Sequence, residues 1–129
     1  MAKDKEIQHS DVRRVLSASS LASDSVKNKL GEDLGSVKEI MIDIPSGRIA
    51  YAVLSFGGFL GIGNKLFAIP WEVLTVDADR KCLVLDADKA TLEKAPGFDK
   101  DHWPDMADLR WGTQVYTYYG RKPYWLSTP

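Results

Sequence analysis

The sequence is short of most residue types that a chemical site requires. It holds one cysteine, Cys82, and two histidines, His9 and His102, in 129 residues. A lone cysteine excludes an intramolecular disulfide. Inside the apolar run Cys82-Leu83-Val84-Leu85 it reads as a buried, inert thiol rather than a nucleophile. Neither histidine has a cysteine at ligand spacing, so a zinc site is not indicated. His9 falls in a polar tail, and His102 beside Trp103-Pro104 reads as a structural or surface residue. No Ser-His-Asp or Cys-His arrangement can be assembled, and the chain is expected not to be an enzyme. Charge of one sign is also lacking: a net charge of -1 supplies no long-range pull toward nucleic acid or an anionic membrane. Lys3, Lys5, Arg13 and Arg14 are interleaved with Asp4, Glu6 and Asp11, which fits a solvated tail. No apolar run reaches the roughly 18 residues of a membrane span. The first six residues lack the apolar core of a signal peptide, so a reducing cytoplasm is the default address.

What is present describes one soluble globular domain, with 44% apolar and 27% charged residues. Residues 1–11 form a polar tail. A short strand and turn are expected over Arg13–Ser25, and a second strand over Val26–Leu30. Gly31-Glu32-Asp33-Leu34-Gly35 reads as a turn. Ile40, Ile42 and Ile44 then alternate with Glu39, Met41 and Asp43, the pattern of a strand with one buried face. Pro45-Ser46-Gly47 supplies a hairpin turn. Ile49–Phe56 is apolar on both faces and suits a covered central strand. Leu66–Ile69 is a strand ended by Pro70, and Leu74–Asp77 with Cys82–Leu85 makes one more hairpin. Asp88 is placed to cap a helix over Lys89–Lys94, which Ala95-Pro96-Gly97 stops. Six or seven short strands with regular turns predict a mainly β domain, a sandwich or a small closed barrel.

Two segments depart from ordinary β-domain composition. Gly57-Gly58-Phe59-Leu60-Gly61-Ile62-Gly63-Asn64-Lys65 joins two strands, and its spacing fits neither a dinucleotide fingerprint nor a Walker loop. Phe56, Phe59, Leu60 and Ile62 are instead large apolar side chains where a connection would normally be polar. Either this loop folds back to plug one end of the domain, or it presents an apolar patch to a partner. The second segment is the last third of the chain, which carries eight of the thirteen aromatic residues. Thr113 is placed to cap a helix over Gln114–Tyr119 ending at Gly120, while the β-branched and aromatic content of the same stretch favours a strand; helix is the preferred reading. Trp111, Tyr118, Tyr119 and Trp125 are candidates for an interface, and Trp111, Tyr116 and Tyr119 equally for covering the chain's own sheet. Asp77-x-Asp79 and Asp86-x-Asp88 read as hairpin and helix-cap residues rather than a metal site. No metal or cofactor is expected.

The stretch from Gly47 through Trp71, with Gly35–Asp43 before it and Ala95-Pro96-Gly97-Phe98-Asp99 after it, resembles the signature of bacterial PRC-barrel proteins over about residues 12–99. That resemblance implies a compact, closed β-barrel like the cytoplasmic part of the photosynthetic reaction centre H subunit. It also implies kinship with the C-terminal barrel of a ribosome maturation factor. The membrane helix of the H subunit and the N-terminal domain of the ribosome factor have no counterpart here. The aromatic-rich region 100–129 looks like an extension of stand-alone bacterial members. The family brings no shared catalytic motif, so the resemblance speaks to fold more than to role.

These readings lead to one expectation and two rivals. The expectation is a non-catalytic protein-interaction and assembly module, homodimeric, acting through Phe56, Phe59, Leu60 and Ile62 with part of the aromatic end. The first rival is a small-ligand or cofactor-binding barrel gated by the same loop, with Tyr51 or Trp71 near its pocket. The second, a ribosome- or RNA-associated adaptor, is opposed by the near-neutral charge.

Overall fold

The computed structural model describes residues 15–22, 24–56 and 65–126. Seven strands form one sheet among them: β1 (Ser25–Asn28), β2 (Asp33–Asp43), β3 (Arg48–Phe56), β4 (Lys65–Pro70), β5 (Leu74–Asp77), β6 (Cys82–Leu85) and β7 (Phe98–Asp99). The sheet order is β5-β6-β1-β2-β3-β4-β7. β1 and β6 run parallel and every other neighbouring pair is antiparallel. Among the described residues three helices accompany the sheet: α1 (Ala18–Leu21), α2 (Lys89–Glu93) and α3 (Leu109–Tyr118). Short 3-10 turns follow β4 (Trp71–Val73) and α3 (Tyr124–Leu126). Among the described residues no ladder joins β5 to β7, so by hydrogen bonding the sheet is open where a closed barrel was expected.

The register explains which residues face which way. On β3 and β4, Leu54 lies opposite Phe67 and Ala52 opposite Ile69, so all four share one face. Leu54, Phe67 and Ile69 build the main core with Val26, Val37, Leu83 and Leu85, and α2 closes it with Leu92. Val53 opposite Ala68 and Tyr51 opposite Pro70 point the other way, toward α3. β3 is therefore apolar on both faces because both are covered.

The β2–β3 hairpin turns where Pro45-Ser46-Gly47 predicts. Gly47 takes φ 75° and its N–H donates to Asp43 O at 2.7 Å. Of Ile40, Ile42 and Ile44, expected on one face of a strand, only Ile40 reaches the core. The register slips at Met41/Ile42, which is paired by Tyr51 and Ile49, and leaves Ala50 as an extra residue on β3. Ile40 packs on the main core, Ile42 lies opposite Ile49 at the sheet's end and is 52% exposed, and Ile44 stands in the turn.

Three other local expectations are corrected. Where a strand was expected from Arg13, the described residues 15–17 form no strand and α1 begins at Ala18, the Ser17 hydroxyl accepting from the Ser20 N–H at 3.1 Å. Serine competes for backbone groups too well to extend there, and it caps instead. The turn expected at Gly31–Gly35 ends earlier, because Asp33 already belongs to β2. Asn28 closes it: its buried amide oxygen accepts from the N–H groups of Leu30 and Glu32, and its amide nitrogen donates to the Glu32 carboxylate at 2.7 Å. Finally, helix wins over strand near residues 114–119, but it starts at Leu109 under an Asp108 cap rather than at Thr113. Thr113 sits inside the helix and donates its hydroxyl to Leu109 O at 2.7 Å. The polar tail 1–11 lies outside the described residues.

Candidate functional site

The C-terminal aromatics pack on the chain's own sheet. α3 lies across β3 and β4 with Val115 and Tyr116 buried beneath it. Tyr116 is fully buried and donates its hydroxyl to Ala50 O at 2.9 Å, so the extra residue of the bulge finds its partner in the helix. Tyr51 meets Trp111 at 5.3 Å and Tyr116 at 5.6 Å between ring centroids, and Trp125 meets Tyr116 edge-on at 5.0 Å. Gly112 lets the helix come this close. A Cβ there would stand 2.5 Å from the Tyr51 hydroxyl and 2.7 Å from the Trp125 ring. Burial raises the phenol of Tyr51 to about 12 and those of Tyr116 and Tyr119 upward as well, so all three are neutral at ordinary pH.

A polar latch fixes the end of this cover. The Tyr124 hydroxyl donates to the Asp43 carboxylate, and the Arg48 guanidinium stacks 4.2 Å above the Tyr124 ring. The hydrogen bond from Tyr124 holds the Asp43 carboxyl below its usual value, with help from Ser46 and Arg48. Of the interface candidates, Trp111 and Trp125 belong to this cover. Tyr118 and Tyr119 stack edge-on at 5.0 Å at the C-terminal end of α3, where Tyr118 donates to Thr91 O. These four side chains gather on one helix and its following turn.

Phe56 is in a different place, buried at the end of β3 against Phe67. Phe59, Leu60 and Ile62 lie outside the described residues. The segment they belong to leaves the sheet at Phe56 and returns at Lys65, which pairs with Asp99 of β7. There Phe98 stacks against Trp103 at 5.1 Å, and Trp103 is 40% exposed. His102 is a surface residue 3.9 Å from Asp99.

At the other edge of the sheet an open groove of about 700 Å³ runs beside β5. Sequence reasoning did not locate it, because its walls come from segments far apart in the chain. Leu16, Leu21, Ile49 and Trp71 line it together with Thr75, Val76 and Val84 of the β5–β6 hairpin. Val76 packs on the main core, and Thr75 pairs with Val84 on the opposite face of the hairpin, so the groove wraps the strand's edge. Its charged lining residues are both carboxylates, Asp77 and Asp79. Trp71 is thus where the ligand-binding alternative needs it, but Tyr51 is beneath α3.

The carboxylate pairs have structural partners. Asp77 accepts from the Arg80 N–H to shape the β5–β6 turn, Asp88 caps α2 through the Thr91 N–H, and Asp86 meets Lys29 and Arg121. Among the described residues no helix is long and apolar enough to cross a membrane. A family model, the PRC-barrel domain, matches residues 14–92. No curated protein matches the chain.

Proposed function

The chain belongs to the PRC-barrel domain family, and from that premise we propose that it is a non-catalytic interaction and assembly module. It self-associates as a homodimer through the apolar, glycine-rich segment between β3 and β4. The observation that supports this reading is the setting of that segment's root. Trp103 stands 40% exposed on Phe98, beside the two-residue edge strand that pairs with Lys65. A large aromatic left half in water next to a segment carrying Phe59, Leu60 and Ile62 is the composition of an interface core. The C-terminal aromatics serve the chain's own sheet, so the interface draws less on Trp111 and Trp125 than on this corner. A reducing, cytoplasmic setting suits the free and buried Cys82.

Sedimentation equilibrium on the full-length protein tests the proposal. The parent chain is expected to dimerise, and Phe59→Asp to weaken the dimer by about tenfold or more while circular dichroism stays unchanged. A parent chain that is monomeric throughout, or a variant that associates as the parent does, refutes it.

A further inference from the structure

The C-terminal extension meets the rest of the chain through side chains. Among the described residues, every backbone hydrogen bond made by residues 101–126 closes within that segment or on Asp99. Its polar ties to the domain are three tyrosine hydroxyls and one ion pair. Tyr116 donates to Ala50 O, Tyr118 to Thr91 O and Tyr124 to the Asp43 carboxylate, while Arg121 meets Asp86. We propose that this extension is a releasable cover, which leaves the sheet as one unit while the strands keep their fold, and so opens or shuts a second apolar face. The proposal goes beyond the homodimer and does not need it, because a monomer carries the same cover.

Three observations carry it. First, lifting the segment breaks no strand ladder. Removing a strand orphans a row of backbone groups, whereas here the buried carbonyl of Ala50 loses its phenol and gains water in the same step.

Second, the hydrophobic interior is divided in two. The main core draws its buried residues from Val26 to Ala95, and among the described residues Tyr119 is the only side chain of the extension packed against it. The core beneath the cover consists of Ala50, Tyr51, Ala68, Val115 and Tyr116, none of which is a buried member of the main core. Release therefore gives up the smaller core and leaves the larger one in place.

Third, the family match ends at residue 92. Within it lie β1 to β6 and every buried residue of the main core except Ala95. The extension is thus added to a domain that has a core of its own. At ten residues, α3 is too short to hold its helix in water once detached. It departs as a loose chain, and the conformational entropy it regains favours release. What it uncovers is an apolar strip, Ala50 and Tyr51 of β3 with Ala68 of β4, flanked by Met41. Open, that strip can receive another molecule; closed, it is blocked by the chain itself.

Native-state hydrogen exchange on the full-length, isotope-labelled protein in low urea tests the cover. Amides of α3 are expected to exchange through an opening about tenfold or more as populated as global unfolding, with a weaker urea dependence than amides of β2 and β3. Two substitutions then separate the cores. Val37→Ala trims the main core, so it should speed the β2 and β3 amides about tenfold and leave the α3 amides unchanged. Tyr124→Phe weakens only the closed state, so it should speed both sets by the same factor. One population and one urea slope for α3 and the central strands would sink the proposal. So would a Val37→Ala variant in which α3 is accelerated as much as the strands. Exchange of the α3 amides at the rate of an unstructured chain would overturn it as well, since no cover then forms.

Discussion

Gly112→Ala offers a direct test of how the aromatic cover is built, because two opposing effects there can be weighed. In an unconstrained helix interior, glycine to alanine stabilises by about 1 kcal/mol, since alanine loses less backbone entropy on folding. Within α3 the new methyl would instead meet the Tyr51 hydroxyl at 2.5 Å and the Trp125 ring at 2.7 Å. Carbon atoms do not approach so near, so helix, Tyr51 or Trp125 must shift. Tyr51 is buried and wedged between Trp111 and Tyr116, and Trp125 is held edge-on to Tyr116. Overpacking a site of this kind costs roughly 1–3 kcal/mol, and more than one neighbour is involved. With two neighbours in the way the cost lies toward the upper end of that range, so the steric term wins and leaves a net loss of up to about 2 kcal/mol after the propensity gain. Urea unfolding followed by far-ultraviolet circular dichroism reads this as a lower midpoint at unchanged slope. The melting temperature should fall by several degrees. Tryptophan emission should move to longer wavelength as Trp111 and Trp125 loosen. A variant that is more stable by about 1 kcal/mol, as propensity alone requires, would show that α3 does not lie against Tyr51 and Trp125 in solution.

Two further substitutions probe the same cover. Tyr116→Phe removes the donor to Ala50 O in a fully buried position and should cost about 1–3 kcal/mol, measured by the same unfolding curves. A neutral result would mean that water or another donor reaches the bulge carbonyl. Tyr124→Phe removes the hydrogen bond that most lowers the Asp43 carboxyl and should cost about 0.5–1.5 kcal/mol near neutral pH. Because the folded-state value lies below the ordinary carboxyl value of 3.8, that contribution is present above pH 3.8 and is lost as pH falls through the folded value. The stability gap between parent and variant should therefore close in acid. A gap that stays constant down to the acid transition would show that the phenol and the carboxylate are not paired.

The strands were legible because each carries its own signal. Leu74–Asp77 and Cys82–Leu85 appear with the bounds expected of them, and the doubly apolar Ile49–Phe56 is covered on both faces. Asp88 caps its helix as its spacing to Thr91 suggests. What could not be read were features fixed between segments. The bulge that leaves Ala50 over depends on pairing with β3, and the exposure of Ile42 on its place at the end of the strand, neither of which alternation within β2 reports. Asn28 looks like one more polar residue until its amide is seen to close the turn to Glu32. α3 was half visible: its aromatics showed that it packs, but its start depends on Asp108 and its seat on the missing side chain of Gly112. The β5 groove was invisible, since Leu21, Ile49, Trp71 and Val84 share no local pattern.

The parallel pairing of β1 with β6 has a consequence for how the chain acquires its structure. β2, β3 and β4 form a meander whose contacts are local, and they can pair as soon as they exist. β1 precedes them in the chain but bonds on its far side to Cys82–Leu85, which is made much later. Until then one edge of β1 is unsatisfied, and the core lacks Leu83 and Leu85. Joining the two closes a long loop, a step whose entropy must be met before its contacts form, so it is the natural rate-limiting event. A chain emerging from the ribosome therefore exposes Val26 and the face of β2 to solvent until β6 arrives, and that interval is when it is most exposed to misassociation.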